Sequence, residues 1–195
     1  MRPGSRGTVT EEEYLTLERD ADVRHELVGG EVLAMAGGSP KHAAIILNVG
    51  AALRARLATT DCVVFGSDLR VHVATTGLYT YPDVAVGCGR LEFGPRDRDA
   101  LTNPISLVEV LSPSTESYDR GAKFAHYRRI PSLRDYVLVA QDERRVEVFH
   151  RTSDGTWAIS DPVTAGTVAL PGLGIELSVD EVYAKTERFD EPTPG

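Results

Sequence analysis

The stretch Ile105-Ser-Leu-Val-Glu-Val-Leu111 decides the fold, because it predicts a buried strand with one acidic residue, Glu109, at its centre. A second apolar strand, Asp83-Val-Ala-Val86, opens with a carboxylate directly behind Pro82. An ionised carboxylate in such surroundings is costly unless a cation or hydrogen-bond donors compensate it. Two carboxylates at one end of a sheet form an oxygen-rich site suited to magnesium or manganese. The structural alternative is that Asp83 caps a turn and Glu109 forms a salt bridge with an arginine.

A helix is predicted after this strand, from about Asp119 to Ile130, ending before Pro131. At about 100° per residue, Lys123 lies on the same stripe as three apolar residues: Phe124, Tyr127 and Ile130. The Lys123 ammonium then either extends outward to solvent or reaches an anion, and Glu109 lies on the preceding strand.

Two further expectations concern the start of the same helix. We expect Asp119 to cap the helix by accepting a backbone hydrogen bond, rather than to take part in chemistry. We expect Gly121, just inside the helix, to let another backbone approach closely.

The rest of the chain alternates short helices and strands. Thr10 and Glu13 have the capping-box spacing at the start of a first helix, whose apolar edge is Tyr14 and Leu17. The pair Gly29-Gly30 predicts a hairpin between strands at about 25–28 and 31–35. A long helix over about 41–58 has one apolar side: Ile45, Ile46, Val49, Leu53 and Leu57. The other predicted elements are strands near 62–65, 69–73, 81–86, 134–140, 145–150 and 156–159, a surface loop over 87–103, a turn at 171–174, and a last strand with a short helix near 179–183.

Length and composition indicate one domain with a full core, since 42% of the 195 residues are hydrophobic. We expect a single α+β domain with a mixed sheet over residues 1–195, with frayed tails at about 1–8 and 188–195. The N-terminal segment has no apolar stretch behind it that would make a signal peptide. The longest apolar run, Ala43 to Leu53, is too short to span a membrane, so we expect no membrane partner.

The two cysteines, Cys62 and Cys88, lie in apolar, strand-like surroundings and have no metal-ligand spacing. We expect them to be reduced core residues of a cytoplasmic protein.

The net charge of −8 argues against a protein that coats nucleic acid through its overall electrostatics. Any such contact must come from a local basic surface. Between Asp119 and Asp135 there are five basic residues: Arg120, Lys123, Arg128, Arg129 and Arg134. The long helix adds three: Lys41, Arg54 and Arg56. Our candidates for contact with a DNA backbone are Arg120, Arg128 and Lys41, and the alternative is an ordinary solvated helix face.

Three segments together resemble the Uma-type endonuclease family of the PD-(D/E)XK, restriction-endonuclease-like superfamily: Pro82-Asp83, Leu107-Val-Glu-Val-Leu-Ser-Pro-Ser-Thr115 and Tyr118-Asp-Arg-Gly-Ala-Lys-Phe-Ala-His-Tyr127. The resemblance extends from His25 to about His150. It implies a restriction-endonuclease-like core, in which a mixed sheet is flanked by helices, with extra strands and with the site at the end of the sheet.

The resemblance also implies roles for particular residues. Asp83 and Glu109 would be metal ligands, with the Val110 carbonyl as a third. The superfamily places a lysine two residues after the acid, but this chain has Leu111 there, and Lys123 matches the lysine that has moved to a nearby helix. Glu26 resembles an additional acid that some members bring to the site; its alternative is an exposed strand carboxylate. His42 could also face the cleft, but we expect it to be a helix-capping or packed residue instead.

The function implied is hydrolysis of phosphodiester bonds in nucleic acid, above all DNA, with Mg²⁺ or Mn²⁺ as the cofactor. Such an ion would lower the pKa of an attacking water, and Lys123 would orient that water or steady the phosphate. A homodimer would let two sites address two strands. One alternative is a catalytically inactive nuclease-fold module for binding DNA or protein, which Leu111 and the acidic charge keep open. The other is an unrelated carboxylate-pair hydrolase acting on sugars, which would not explain Lys123.

Overall fold

Runs of short strands separated by helices make up residues 8–35 and 37–190, the part of the chain that this computed structural model describes. The strands are β1 (His25–Val28), β2 (Glu31–Ala34), β3 (Cys62–Gly66), β4 (Arg70–Val73), β5 (Leu78–Thr80), β6 (Val84–Cys88), β7 (Ala100–Leu101), β8 (Ser106–Leu111), β9 (Asp135–Ala140), β10 (Val146–Arg151), β11 (Trp157–Ile159), β12 (Thr167–Leu170) and β13 (Ile175–Ser178). The helices are α1 (Glu11–Arg19), α2 (Pro40–Arg56), α3 (Glu116–Tyr118), α4 (Phe124–Tyr127) and α5 (Val179–Val182). A π-helical turn (Asp119–Lys123) joins α3 to α4, and a 3-10 turn (Thr186–Phe189) follows α5.

The central element is a six-stranded mixed sheet in the order β11-β10-β9-β8-β6-β3. Its parallel pair is β8 and β9, in which Glu109 lies opposite Leu138, and the other neighbours are antiparallel. All six residues of β8 are buried, as its apolar sequence predicts. The α+β class and the mixed sheet flanked by helices are therefore confirmed.

Successive β8 side chains point to opposite faces of this sheet. Val108 and Val110 pack into a core shared with α2, the β12–β13 hairpin and α5. Leu107 and Leu111 pack on the other face, with α4 and part of a second sheet. Because Glu109 lies between Leu107 and Leu111 in this alternation, its side chain points to the face that α4 covers.

The second sheet has five strands in the order β2-β1-β5-β4-β7. The chain leaves it at the end of β5 and enters the six-stranded sheet at the start of β6, through Tyr81, Pro82 and Asp83. The predicted strand over 81–86 is thus shorter, since Pro82 has no N–H to donate to a ladder. This junction places Asp83 where the two sheets meet.

The first helix and hairpin follow their predicted local signals. Thr10 and Glu13 form the reciprocal capping box of α1. Gly29 and Gly30 have φ of 58° and 85° in the turn between β1 and β2, the left-handed backbone that glycine accommodates best. The predicted role of Leu17 is wrong, because it is exposed while Leu15 is buried beside Tyr14.

Several other expectations need correction. Cys62 and Cys88 are joined in a disulfide, so the prediction that they are reduced is wrong. They are direct partners in the β3–β6 register, 3.9 Å apart between Cα atoms, which a linear sequence does not reveal. The predicted loop over 87–103 contains β7, which pairs with β4, and β12 was not predicted.

The predicted frayed tails lie mostly outside the described residues. At the C-terminal side, Thr186–Phe189 form the 3-10 turn and the next residue, Asp190, pairs with Lys41 at 2.7 Å. None of the helices within the described ranges has the length and apolar character needed to cross a membrane.

Candidate active site

A cleft of about 560 Å³ lies where the two sheets meet beside the N-terminal half of the 116–127 helix. That helix consists of α3, the π turn and α4, and we call it the site helix. The acidic and basic residues that line the cleft come from five separate parts of the chain: Glu26, His42, Asp83, Glu109, Asp119 and Lys123. Four of the six are acids, so the cleft has an excess of negative charge.

Lys123 lies at the centre of this cluster and is 5% exposed. Its Nζ is 2.9 Å from Glu109 Oε1 and 3.4 Å from Glu26 Oε1. Asp119 Oδ1 is 3.6 Å away, one helical turn earlier. Burial alone would lower the pKa of Lys123, but the three carboxylates outweigh it and raise that pKa well above its ordinary value. Lys123 is therefore a buried cation, and the alternative in which it extends to solvent is wrong.

Glu109 is held by two donors on one oxygen. Lys123 reaches its Oε1, and the buried Tyr127 hydroxyl donates to the same atom at 2.8 Å. Burial raises the pKa of Glu109 well above its usual range, while the Lys123 charge opposes that rise. Its ion-pair partner is a lysine, so the alternative of a structural arginine salt bridge is wrong. No hydrogen bond to the other oxygen, Oε2, is present within residues 8–35 and 37–190.

Asp83 is tied to the strand that carries Glu109. Its Oδ2 accepts a hydrogen bond from the Val110 N–H at 2.7 Å. The Nε2 atom of His42 is 2.9 Å from the Val110 carbonyl and 3.5 Å from Asp83 Oδ2. Burial raises the pKa of Asp83, opposed by His42 and by the Val110 N–H. His42 is packed as expected, with its ring largely buried, but that ring also lines the cleft, which was the less expected position.

Glu26 is buried, so the alternative that it is an exposed strand carboxylate is wrong. The Thr80 hydroxyl donates to its Oε1, and the Tyr81 N–H approaches the same oxygen at 3.4 Å. Because β1 pairs with β5, the carboxylate of Glu26 comes beside Thr80 and within reach of Lys123. Long-range strand pairing, which the local sequence does not show, creates this contact.

The site helix begins at Glu116, three residues before the predicted start. Asp119 is consequently inside the helix and buried, so the prediction that it caps the start is wrong. The π turn, a feature often found at functional sites, spans Asp119 to Lys123 and orients both side chains toward the cleft. Gly121 has no neighbouring atom within 4 Å of a Cβ position, so the expected close backbone approach is wrong too.

The donor set can be tested for a magnesium or manganese ion. No group of three or more His, Cys, Asp or Glu side chains with metal-holding spacing occurs in the described part of the chain. Mg²⁺ commonly takes only one or two carboxylates and keeps several waters. Asp83 and Glu109 line one cleft with excess negative charge, and Val110 offers a carbonyl beside them. These residues fit a partly hydrated hard cation and do not fit a fully protein-ligated site.

The three predicted nucleic-acid contacts differ in their surroundings. Arg120 is paired with Glu116 and bidentately with Glu147. Lys41 is paired with Asp190. Arg128 is exposed and forms no ion pair within residues 8–35 and 37–190. Of the three, Arg128 has the side chain best placed to meet a phosphate.

Comparison with known proteins gives three further findings. The sequence matches the profile of the Uma2 family, described as “Putative restriction endonuclease”, over residues 11–180. It is 38% identical over 175 residues to “Uncharacterized protein slr1290” of Synechocystis sp., covering 88% of this chain and 90% of that protein. A second Synechocystis protein, “Uncharacterized protein sll1609”, is 34% identical over 153 residues, or 78% of this chain and 86% of that one.

The fold also has a match among solved structures. It is similar to a crystal structure described as a putative nuclease belonging to DUF820 from Anabaena variabilis, with a TM-score of 0.75. The match covers 91% of this chain and 99% of the other, at 18% sequence identity. At that identity the likeness concerns the fold.

Proposed function

The chain belongs to the Uma2 family, described as “Putative restriction endonuclease”, and on that premise we propose that it is a divalent-metal-dependent endonuclease acting on nucleic acid, above all DNA. The observation that carries the proposal is the 2.9 Å contact between Lys123 Nζ and Glu109, in the cleft that Asp83 also lines. Through this contact Lys123 takes the place of the lysine that the superfamily has two residues after the acid, where this chain has Leu111.

The position of Leu111 supports this replacement of a strand lysine by Lys123. Leu111 is buried on the same face of β8 as Glu109, and it belongs to the same core cluster as Tyr127, beneath the site helix. The helix that covers this face carries Lys123, so the ammonium reaches Glu109 from the site helix instead of from the strand.

In the proposed reaction, Asp83 and Glu109, with the Val110 carbonyl, would hold Mg²⁺ or Mn²⁺. Such an ion supplies charge neutralisation at the phosphate and a lowered pKa for an attacking water. Tyr127 and Lys123 fix Oε1 of Glu109, which leaves Oε2 for the cation. The Lys123 ammonium also places a positive charge where a phosphate oxygen or the attacking water would lie. No covalent intermediate is required.

Two other functions agree less well with this cluster. A nuclease-fold module without turnover would need Lys123 only to balance the buried carboxylates, and it would have no use for Asp83 and Glu109 in one open cleft. A sugar hydrolase would use two carboxylates with separated protonation states and no cation between them, whereas here Lys123 contacts Glu109 directly. The observed cluster therefore supports a nuclease over both.

The test is a cleavage assay with plasmid, single-stranded DNA and RNA, in Mg²⁺ or Mn²⁺ and in EDTA. We expect cleavage by the wild type, inhibition by EDTA, and a rate reduced about 100-fold or more in Asp83→Asn and Glu109→Gln, since each removes a charged ligand. Asp68→Asn is the matched control, because Asp68 is an exposed acid that pairs with Arg24 outside the cleft. Cleavage that persists in Asp83→Asn, or none in the wild type with either ion, would contradict the proposal.

The preference for DNA over RNA and the homodimer remain predictions. The cleavage assay addresses the first, and light scattering on the purified protein addresses the second. The cytoplasmic location also remains a prediction, but it has lost the support of reduced cysteines, since Cys62 and Cys88 form a disulfide.

A further inference from the structure

Two parts of the cleft lining differ in chemistry. One wall is formed by the end of β2 and the segment after it, where Leu33, Ala34 and Met35 present apolar side chains. Leu33 is 44% exposed, so the core does not account for it. Exposed apolar side chains beside a polar site indicate a surface that contacts a ligand.

Another part of the lining carries hydroxyl groups. Ser112, Ser114 and Thr115 follow β8 and line the cleft. The Ser112 hydroxyl lies 3.0 Å from each of the other two hydroxyls, so the three form one small polar cluster. Hydroxyls of this kind contact the phosphate and sugar of nucleic acids without reading sequence.

A further polar group in the cleft lacks a partner. Tyr118 lines the cleft, and its hydroxyl is buried with no hydrogen bond to any described residue. Burial raises its pKa to about 12, so the hydroxyl is a neutral donor at physiological pH. A buried donor without a partner is costly, and a ligand oxygen in the cleft would satisfy it.

The charge and depth of the cleft disfavour a duplex. Its floor holds Glu109 and Lys123, which are 4% and 5% exposed. A duplex carries its phosphates on the outside of a wide cylinder, and proteins hold it with rows of Lys and Arg. The residues that line this cleft include Lys123 but no arginine. The lining therefore lacks the row of cations that holds a duplex.

We infer that the cleft accepts an unpaired, single-stranded segment of nucleic acid. One base would lie against the apolar wall of Leu33 and Met35, and the adjoining sugar-phosphate would meet the hydroxyls of Ser112, Ser114 and Thr115. A volume of about 560 Å³ is that of a small-molecule pocket, which suits one or two nucleotides. In a duplex both faces of each base are covered by neighbouring base pairs, so only an unpaired base can place a face against these side chains. The inference rests on the proposed function, since it names the substrate of the same site.

The experiment compares one labelled oligonucleotide, alone and annealed to its complement. The kcat/KM for cleavage in Mn²⁺ is measured on both forms, and fluorescence anisotropy gives their Kd without metal. We expect the single strand to be preferred by about tenfold or more in both measurements, because only an unpaired base can bury a face against Leu33 and Met35.

Leu33→Ser tests the apolar wall. Losing this contact should raise KM and Kd for the single strand by about fivefold to tenfold, as expected from the area of one leucine. Leu47→Ser is the matched control, since Leu47 is an exposed leucine on α2 that does not line the cleft. It should change neither value, and thermal melts of both variants verify that they are folded.

The outcomes separate this inference from the proposed function. Equal cleavage of duplex and single strand, or equal effects of the two leucine variants, would overturn the inference and leave the nuclease proposal intact. If neither substrate is cleaved, the nuclease proposal fails. The anisotropy measurement then decides the inference, which survives only if single-strand binding is preferred and depends on Leu33.

Discussion

Lys123 has a structural as well as a chemical role, because it is the cation nearest to three buried carboxylates, those of Glu26, Glu109 and Asp119. Lys123→Met keeps most of the side-chain volume and removes the charge. We expect this variant to lose about 3–5 kcal/mol of unfolding free energy at pH 8, the usual cost of breaking a buried pair. Thermal or urea unfolding measures it.

The loss should depend on pH in a definite direction. Burial raises the pKa values of Glu109 and Asp119, and Lys123 opposes the rise, so both would be higher still in the variant. A carboxyl whose folded-state pKa exceeds its unfolded value destabilises the protein above that pKa and ceases to do so as the pH falls. The difference between Lys123→Met and wild type should therefore shrink from pH 8 toward about pH 4. A difference that is constant with pH would contradict the account.

Tyr127 acts on the metal through Glu109. Tyr127→Phe removes one of the two donors to Oε1, so the carboxylate should be less well oriented. We expect the Kd for Mn²⁺, measured by calorimetry without substrate, to rise about tenfold or more. Tyr183→Phe is the control, since the buried Tyr183 hydroxyl donates to the Ala140 carbonyl. Equal manganese affinities in the two variants would refute the positioning role.

At the level of single residues, the sequence indicated Lys123 and Glu109 but not all of their neighbours. The helical stripe predicted that Lys123 is on the apolar side, and the apolar run of residues 105–111 predicted that Glu109 lies in a buried strand. Tyr127 was identified only as an apolar stripe residue, although its position one turn after Lys123 was a usable signal. Glu26 owes its surroundings to the pairing of β1 with β5, which no local pattern shows.

At the level of elements, the need for glycine in the π turn of the site helix can be tested by substitution. Gly121 lies in this turn, and no atom is within 4 Å of the position that a Cβ would occupy. Gly121→Ala should therefore stabilise the protein by about 0.4–1 kcal/mol, mainly by restricting the unfolded chain. Denaturant unfolding measures this gain. A loss of stability would show that the turn needs glycine.

The site helix is also tethered to β10 by Arg120, which forms a bidentate pair with Glu147. The Arg120 guanidinium is the main cause of the lowered pKa of Glu147. Arg120→Met should cost about 1–3 kcal/mol at pH 7, since this pair is partly buried. Arg144→Met, which removes an exposed pair with Asp180, should cost less.

The stabilisation that the Arg120–Glu147 pair provides depends on pH, because the pKa of Glu147 is lowered in the folded protein. This contribution is complete above the ordinary glutamate pKa of about 4.3 and disappears as the pH falls through the folded-state value. Wild type and Arg120→Met should thus converge in acid. A gap in stability that persists at pH 2 would contradict this interpretation of Glu147.

Predictions of elements succeeded where local sequence determines the outcome. The capping box of α1, the Gly29-Gly30 hairpin and the buried β8 were all confirmed. The predicted start of the site helix was three residues too late. Aspartate is a common N-cap residue, which favoured Asp119 as the cap. The helix instead begins at Glu116, and the buried Asp119 contacts Lys123 from inside it.

At the level of the whole molecule, the α+β class and the family followed from the sequence, and the matches to Uma2 and to the DUF820 structure confirm them. The junction between the two sheets was not predictable, because it depends on which strands pair across long separations. The Cys62–Cys88 disulfide was missed for the same reason, since it depends on the β3–β6 register. The acidic cleft at that junction is consistent with the net charge of −8 and with a cation in the site.

The central claim is that Asp83 and Glu109 share one divalent cation next to Lys123. The most direct test is a crystal soaked in Mn²⁺, with anomalous diffraction used to locate the metal. We predict an anomalous peak in the cleft, within coordination distance of one oxygen from each carboxylate, and with Lys123 Nζ nearby but not bound to the metal. No peak in the cleft at saturating Mn²⁺, or a peak bound by only one of the two carboxylates, would contradict the account.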